Sequence, residues 1–223
     1  MIRSAVFDLD GTLVDTAEDL IGALNDIAHR FDLPVLDYEE ARAAAGRGGR
    51  GLMRHAAAKV GREITDDQVL VAYPPFLDAY EARISERSRY FPGAEEALDR
   101  LIAAGWRVGI CTNTPERLAR ILIDRLGGGA RYLALLGADS LPVRKPDPRH
   151  VLETIARMGG TPARAVMIGD TATDRDAAAA AGVPCALYTK GFSPRPVAEL
   201  SPEAVFHDFA ALPELVESLI SPA

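Results

Sequence analysis

The first apolar run, Ser4 to Phe7, ends at two carboxylates two residues apart, Asp8 and Asp10, followed at once by Gly11. A serine and three apolar residues bounded by a turn predict a short buried strand. Beyond it the hydrophobic pattern changes period. Leu20, Leu24, Ile27 and Phe31 recur at helical spacing after Thr16, and Asp19, three residues past Thr16, fits a capping box. Leu33-Pro34 ends that helix, and Tyr38 to Ala45 predicts a second. Gly46-Arg47-Gly48-Gly49-Arg50-Gly51, four glycines in six residues, reads as a loop. Leu52, Met53, Ala56 and Val60 then resume a helical face that Gly61 closes. Thr65-Asp66 opens a further helix carrying Tyr73, Leu77, Tyr80 and Ile84, which Pro74-Pro75 should kink or divide. Nothing from Thr16 to Ser88 reads as a strand, so this stretch is expected to be an all-helical insertion.

From Tyr90 onward strands and helices alternate. Pro92-Gly93 starts a helix with Ala94, Ala97, Leu98, Leu101 and Ile102 on one face, and Gly105 sits where a helix-terminating glycine belongs. Arg107 to Cys111 is the next strand. Thr114-Pro115 looks like an N-cap with proline in the first turn, leading a helix to Leu126 that Gly127-Gly128-Gly129 stops. Strand-like runs follow at Tyr132 to Leu136, Ala165 to Ile168, Pro184 to Tyr188 and Ala204 to Phe206. Between and after them lie helices capped by Asp147-Pro148, ending at Gly182, and over Pro213 to Ile220. Strands alternating with helices predict an α/β fold, a parallel sheet covered on both faces. Ligands of such sheets sit at the carboxyl ends of the strands.

Length and composition narrow the picture in four ways. At 223 residues the chain has room for one α/β domain and a smaller appendage. A net charge of −7 argues against nucleic acid as a partner. No apolar run approaches the roughly 18 residues needed to cross a bilayer, and Asp8 and Asp10 follow Arg3 too soon for a signal peptide. The two cysteines, Cys111 and Cys185, lack metal-like spacing and sit in apolar runs, so core packing in a reducing cytoplasm is expected.

Four polar clusters follow predicted strands and should share one edge of the sheet. They are Asp8 with Asp10; Thr112 with Asn113; Lys145 in Arg144-Lys145-Pro146-Asp147-Pro148; and Gly169-Asp170-Thr171-Ala172-Thr173-Asp174. Side chains two apart in extended backbone leave on the same side, so Asp8 and Asp10 can aim at one point. Each cluster alone has a plainer explanation: an acidic turn, a turn, a solvated lysine, a helix cap with a first-turn acid. Together they offer four carboxylates, one ammonium, a hydroxyl and an amide. Crowded carboxylates repel unless a cation is shared. Hard oxygen ligands suit Mg²⁺, while the lysine, hydroxyl and amide suit a phosphate dianion.

FDLDGT, TN after an apolar strand, the KPDP lysine and GDTATD resemble the four motifs of the haloacid dehalogenase-like superfamily, and the resemblance spans the chain. The helical insertion looks like the small cap of the branch that holds phosphoglycolate phosphatases and β-phosphoglucomutases. Val14-Asp15-Thr16 and GRGGRGLM look most like the phosphoglycolate phosphatases. The resemblance implies a Rossmann-like core over residues 1–15 and 89–223 and a mobile helical cap over 16–88. It implies that Asp8, the Asp10 carbonyl and Asp170 hold Mg²⁺, with Asp174 beside them. Thr112, Asn113 and Lys145 would clamp the phosphoryl oxygens. Asp8 would attack phosphorus to form an aspartyl phosphate. Asp10 would protonate the leaving alkoxide and later activate water. Dehalogenases and phosphonate-cleaving relatives lack an acid at the Asp10 position, so Asp10 points to P–O chemistry.

A mutase keeps the same acid, and sugar phosphates, nucleotides and pyrophosphate remain open as substrates. A phospho-accepting receiver-like switch domain is a further alternative. It would need neither Asp10 nor an insertion of about seventy residues. The expected partner is a small phosphorylated metabolite, with neither nucleic acid nor membrane, and the protein is expected to be a monomer or homodimer. Between Ala41 and Arg62 the chain carries Arg42, Arg47, Arg50, Arg54, Lys59 and Arg62 and no acid. Arg42, Lys59 and Arg62 read as solvated helix faces. Arg47, Gly48 and Arg50 lie in the glycine-rich stretch, where a guanidinium can approach a substrate carboxylate.

Overall fold

The structure, a computed structural model, describes residues 2–220. β1 (Arg3–Phe7) is a central strand, flanked by β4 (Trp106–Cys111) and β6 (Ala165–Gly169). β5 (Ala134–Leu136) extends the sheet beyond β4, and β7 (Cys185–Tyr188) and β8 (Ala204–Phe206) extend it beyond β6. The order is β5-β4-β1-β6-β7-β8, with every pairing parallel. A parallel strand covered on both faces reads as an unbroken apolar run, which is why Ser4 to Phe7 carried the strand signal; all four residues are fully buried.

Successive side chains of the sheet enter two separate apolar layers. Ala5, Phe7, Val108, Ile110 and Val166 pack with α5 (Ala94–Ala103), α6 (Glu116–Arg125) and α9 (Leu212–Ile220). Val6, Cys111, Met167 and Cys185 pack with α7 (Pro148–Arg157) and α8 (Ala172–Ala181). Both cysteines are buried and free, as expected of packing residues. The chain leaves β1 toward β4 but leaves β6 toward β7, in the opposite direction. The crevice where a doubly wound sheet takes its ligand therefore opens beside β1 and β6.

Between residues 16 and 88 lie α1 (Ala17–Ala28), α2 (Tyr38–Ala45), α3 (Gly48–Lys59) and α4 (Asp66–Arg83), with no strand among them. Their buried side chains, Leu24, Met53, Phe76 and Tyr80 included, join the α5/α9-side cluster. The neck of the insertion is a two-stranded antiparallel ribbon, β2 (Val14–Asp15) on β3 (Arg89–Tyr90), which two residues per strand are too few to announce. Among the described residues no helix is long and apolar enough to cross a membrane.

Within the insertion, two local expectations fail and a third is narrowed. Thr16 and Asp19 form no capping box. The Thr16 hydroxyl instead donates to Asp10, and Asp19 accepts from Ser88 Oγ (2.6 Å) and the Ser88 and Arg87 amides, stitching the two ends of the insertion. The glycine-rich stretch is a loop only at Gly46-Arg47, because α3 already starts at Gly48 and carries Arg50 in its first turn. Gly49 allows this close packing, since a Cβ there would run into the Phe76 ring. Finally, α4 continues through Pro74 and Pro75 undivided. The carbonyls those prolines cannot bond belong to Leu70 and Val71, both exposed, where water can serve them.

Candidate active site

Asp8 directly follows β1, and its amide donates to the Ile168 carbonyl of β6 (2.8 Å). Across the strand ends stand Lys145, 2% exposed, and Asp170 and Asp174, both fully buried. Lys145 Nζ lies 3.0 Å from Asp8 Oδ1 and 2.7 Å from Asp174 Oδ1. Asp174 is in the first turn of α8, where its Oδ2 accepts from Thr171 Oγ1 (2.7 Å), Thr171 N (3.0 Å) and Asp170 N (3.2 Å). Asp170 accepts from Thr12 Oγ1 (2.9 Å) and from the Phe192 amide (2.6 Å).

Burial disfavours every charge in this cluster. It pushes the Asp8 carboxyl well up; Lys145 opposes this, while Asp174, Asp170 and Asp10 add to it. Asp170 is raised to about 7, by burial first and Asp174 second. Burial alone would raise Asp174 as well, yet Lys145 and the Thr171 bonds hold it below the ordinary carboxylate range. Burial likewise disfavours the Lys145 ammonium, but Asp174 and Asp8 outweigh it and keep the lysine charged. One oxygen from each of Asp8, Asp170 and Asp174 falls within 4.8 Å of the others. Two carboxylates strained toward protonation, in an all-oxygen donor set, fit a hard divalent cation.

Asp10 stands apart from that cluster in its surroundings. Thr16 Oγ1 donates to its Oδ1 (2.7 Å), and Thr114 Oγ1 (2.7 Å) and Thr112 Oγ1 (3.4 Å) donate to its Oδ2. Asn113 Nδ2 donates to the Lys145 carbonyl (3.0 Å), tying the β4 end to the lysine's loop. Thr114 is not the N-cap of α6, a position Pro115 holds; its hydroxyl is spent on Asp10. Thr16 and Thr114 are thus site residues that the sequence pattern casts as caps, and Thr12, within FDLDGT, joins them through Asp170. Capping and site hydroxyls look alike in sequence, and only the partner tells them apart.

A cleft of about 270 Å³ opens over Asp8 and Asp10. Its floor includes Thr112, Asn113 and Lys145, and its far wall is Arg47, Gly48 and Arg50 with Tyr73 from α4. Drug-sized ligands need roughly 300–1,000 Å³, so this space suits a smaller molecule. Arg50 lays its guanidinium over the Tyr73 ring at 4.1 Å from the centroid, and its buried Nε has no hydrogen-bond partner among the described residues. Arg144 joins the cleft from the core side. Neither Tyr73 nor Arg144 was singled out from sequence. Tyr73 counted only as one of a helical apolar face, and Arg144 only as a neighbour of Lys145.

The remaining cap cations divide. Lys59 pairs with Glu40, and Arg62 donates to the Asp32 carbonyl (2.6 Å), both at the surface as expected. Arg42 does not behave as a solvated residue. It reaches Asp15 (3.3 Å) and donates to the carbonyls of Gly191 and Lys190, each at 2.9 Å, because α2 packs its side chain against the core loop after β7.

Comparison with known proteins agrees with this geometry. The family model described as haloacid dehalogenase-like hydrolase matches residues 2–182. The chain is 41% identical to the phosphoglycolate phosphatase of Caulobacter vibrioides, covering 96% of this chain and 91% of that protein. It is 42% identical to the phosphoglycolate phosphatase of Mesorhizobium japonicum, over 98% and 96%. Among solved structures it resembles a predicted phosphoglycolate phosphatase from Haemophilus somnus, with a TM-score of 0.86 at 27% identity, covering 96% of this chain and 97% of that one. With a buried acid–lysine cluster at the carboxyl edge of a parallel sheet and a match over most of its length, the chain belongs to the haloacid dehalogenase-like hydrolases, as a phosphatase of that family.

Proposed function

We propose that this protein hydrolyses a small carboxylate-bearing phosphomonoester of the phosphoglycolate type, with Mg²⁺ as cofactor. One observation carries the mechanistic part: two neighbouring carboxylates, Asp8 and Asp10, are held in opposite ways. Asp8 faces Lys145 within a cluster of three carboxylates, one oxygen of each lying within 4.8 Å of the others. Asp10 is gripped by three hydroxyls, apart from that ammonium. Two acids in different surroundings can divide nucleophile from proton carrier.

Asp8 attacks phosphorus and becomes an aspartyl phosphate while the P–O bond to the substrate breaks. Asp10 delivers its proton to the departing alkoxide. It then takes a proton from the water that attacks the phosphorus, and Asp8 is released with inorganic phosphate. Lys145, Thr112 and Asn113 face the phosphoryl oxygens and balance their charge. Asp8, the Asp10 carbonyl and Asp170 would hold Mg²⁺, with Asp174 anchored beside them by Lys145 and Thr171. The ion supplies charge neutralisation between nucleophile and phosphate, so that two anions can meet.

Residues 16–88 act as the cap, and residues 1–15 and 89–223 as the catalytic core. Arg47 and Arg50 would receive the carboxylate at the far end of the substrate. The relatives named phosphoglycolate phosphatases support that choice, as does the place of both arginines on the cleft wall. The test is steady-state phosphate release from a panel of phosphorylated metabolites, with and without Mg²⁺. Phosphoglycolate should lead the panel and chelation should abolish turnover. A preference for a substrate without a carboxylate would overturn the substrate assignment, and no phosphate release from any member would overturn hydrolysis itself.

A further inference from the structure

The loop after β7 joins the helical insertion to one of the buried carboxylates. Phe192, fully buried, donates its amide to Asp170 Oδ2 at 2.6 Å. Its other sides are packed by both parts of the molecule. A Cβ on Gly11, in the turn that follows Asp8 and Asp10, would stand 2.7 Å from Phe192 Cδ2. A Cβ on Gly46, just past α2, would stand 2.9 Å from Phe192 Cβ. Gly191 is pressed against Asp170 just as closely, leaving no room for a Cβ.

Arg42 of α2 closes over this loop. Its two terminal nitrogens donate to the Gly191 and Lys190 carbonyls, and its guanidinium lies 5.1 Å from the centroid of the Phe192 ring. Its Nε donates to Tyr38 Oη (3.2 Å), and Asp15, at the neck of the insertion, supplies the opposing charge. A single side chain thus bonds the two residues immediately before the amide that holds Asp170.

We propose that Arg42 is a positioning residue that couples the seating of the helical insertion on the core to the orientation of Asp170, and thereby to cation affinity. The proposal rests on the reading of Asp170 as a metal-holding residue. With the fork in place, Lys190 and Gly191 are fixed and the Phe192 amide stays on the carboxylate. With the fork released, the loop regains freedom and Asp170 loses a charge-assisted donor. Coupling of this kind is reciprocal: whatever seats the insertion tightens the cation, and the cation helps to seat the insertion.

The experiment measures Mg²⁺ binding to the free protein by calorimetry, in wild type, Arg42→Ala and Arg42→Lys, with melting temperatures and p-nitrophenyl phosphate kinetics alongside. Arg42→Ala is expected to weaken Mg²⁺ binding about tenfold, the scale of one hydrogen bond to a charged group. Raising Mg²⁺ should then restore most of kcat. Arg42→Lys keeps the charge opposite Asp15 but cannot span two carbonyls and a ring, so it should fall between the two; if the alanine variant does not fold, the lysine variant decides. A residue that merely anchors α2 would lower the melting temperature without moving Mg²⁺ affinity. Wild-type Mg²⁺ affinity in folded variants therefore overturns the coupling alone. A wild type that binds no Mg²⁺ in calorimetry overturns the metal reading and the coupling with it.

Discussion

The two walls of the cleft are built on different terms. On the core wall, Lys145 is shared between Asp8 and Asp174, Asp174 takes three further donors, Asp170 two and Asp10 three. The carboxylates sit just past a strand end or in the first turn of a helix, so backbone ladders set their positions, while Lys145 reaches them from the loop between β5 and α7. On the insertion wall, Arg47 and Arg50 flank a glycine-rich helix start, and Arg50 is steadied by the Tyr73 ring while its Nε goes unpaired. The core wall is preorganised around charge that the reaction itself develops, which any phosphomonoester shares. On the proposed reading, the insertion wall offers its guanidinium groups to what one substrate brings and another lacks.

If that division holds, damage to the core wall should harm every substrate and damage to the insertion wall only some. The largest effect is expected from Asp8→Asn. The carboxamide preserves shape but is a poor nucleophile and a weaker cation ligand, so turnover should vanish for all substrates while circular dichroism stays native. Substantial residual phosphate release from folded Asp8→Asn protein would end the covalent mechanism.

Asp10→Asn should come next, with a loss of at least ~10²-fold, the usual scale for a positioned proton donor. Here the core wall should still show one kind of selectivity, by leaving group. Nitrophenolate departs with little protonation, so p-nitrophenyl phosphate should suffer less than alkyl phosphates. Equal losses for both would remove the acid role from Asp10 and return its three hydroxyl bonds to structure alone.

The same contrast explains what could be read in advance. Three of the core motifs were legible because each ends an apolar strand, and strands placed by their hydrophobic runs carry their ends with them; Lys145 instead stands nine residues past β5, in the loop before α7. Asp8, Asp170 and Asp174 come together at the strand ends, and the Lys145 loop brings its ammonium to them. Partner choice was not legible. Thr16 and Thr114 stood where caps stand, yet both bond Asp10, because a hydroxyl near a helix start can serve either end of the bond. Arg42 looked solvated because its helix is polar. Its partners are backbone carbonyls some 150 residues away, which carry no sequence signal. Four glycines suggest a loop around Arg50, whereas α3 already starts at Gly48 and Gly49 serves to let the Phe76 ring approach the helix.

On the insertion wall, Arg47→Ala or Arg50→Ala should raise KM for phosphoglycolate and leave p-nitrophenyl phosphate nearly untouched. A hydrogen bond to a charged group is worth roughly 1.5–3 kcal/mol, so kcat/KM should fall about ten- to a hundredfold. Tyr73→Phe keeps the ring under Arg50 and should be mild, whereas Tyr73→Ala should follow the Arg50 variant in part. Parallel losses on both substrates in both arginine variants would erase the distinction between the walls.

The smallest expected effect sharpens the comparison from behind the core wall, where His150 of α7 is fully buried beside the loop of Lys145. Its Nε2 lies 3.0 Å from the Gly137 carbonyl, an acceptor, so Nε2 carries the proton and Nδ1 is bare. Nδ1 has no partner among the described residues. Burial and the nearby Lys145 ammonium lower the His150 pKa to about 4, against the opposing pull of the Gly137 bond. An unfolded histidine titrates near 6.5. Between those values the unfolded chain binds a proton that the folded one refuses. The stability His150 contributes is therefore complete above about pH 6.5 and lost as pH falls toward 4. His150→Gln can keep an N–H for the Gly137 carbonyl but does not titrate. The variant should melt below wild type at pH 7, by at least ~2 °C, the shift expected of about 1 kcal/mol at this chain length. The gap should close as pH falls from 6.5 to 4. A gap of constant size across that range, measured by thermal melts at matched ionic strength, would mean that His150 is already protonated in the folded state and that Lys145 does not repel it.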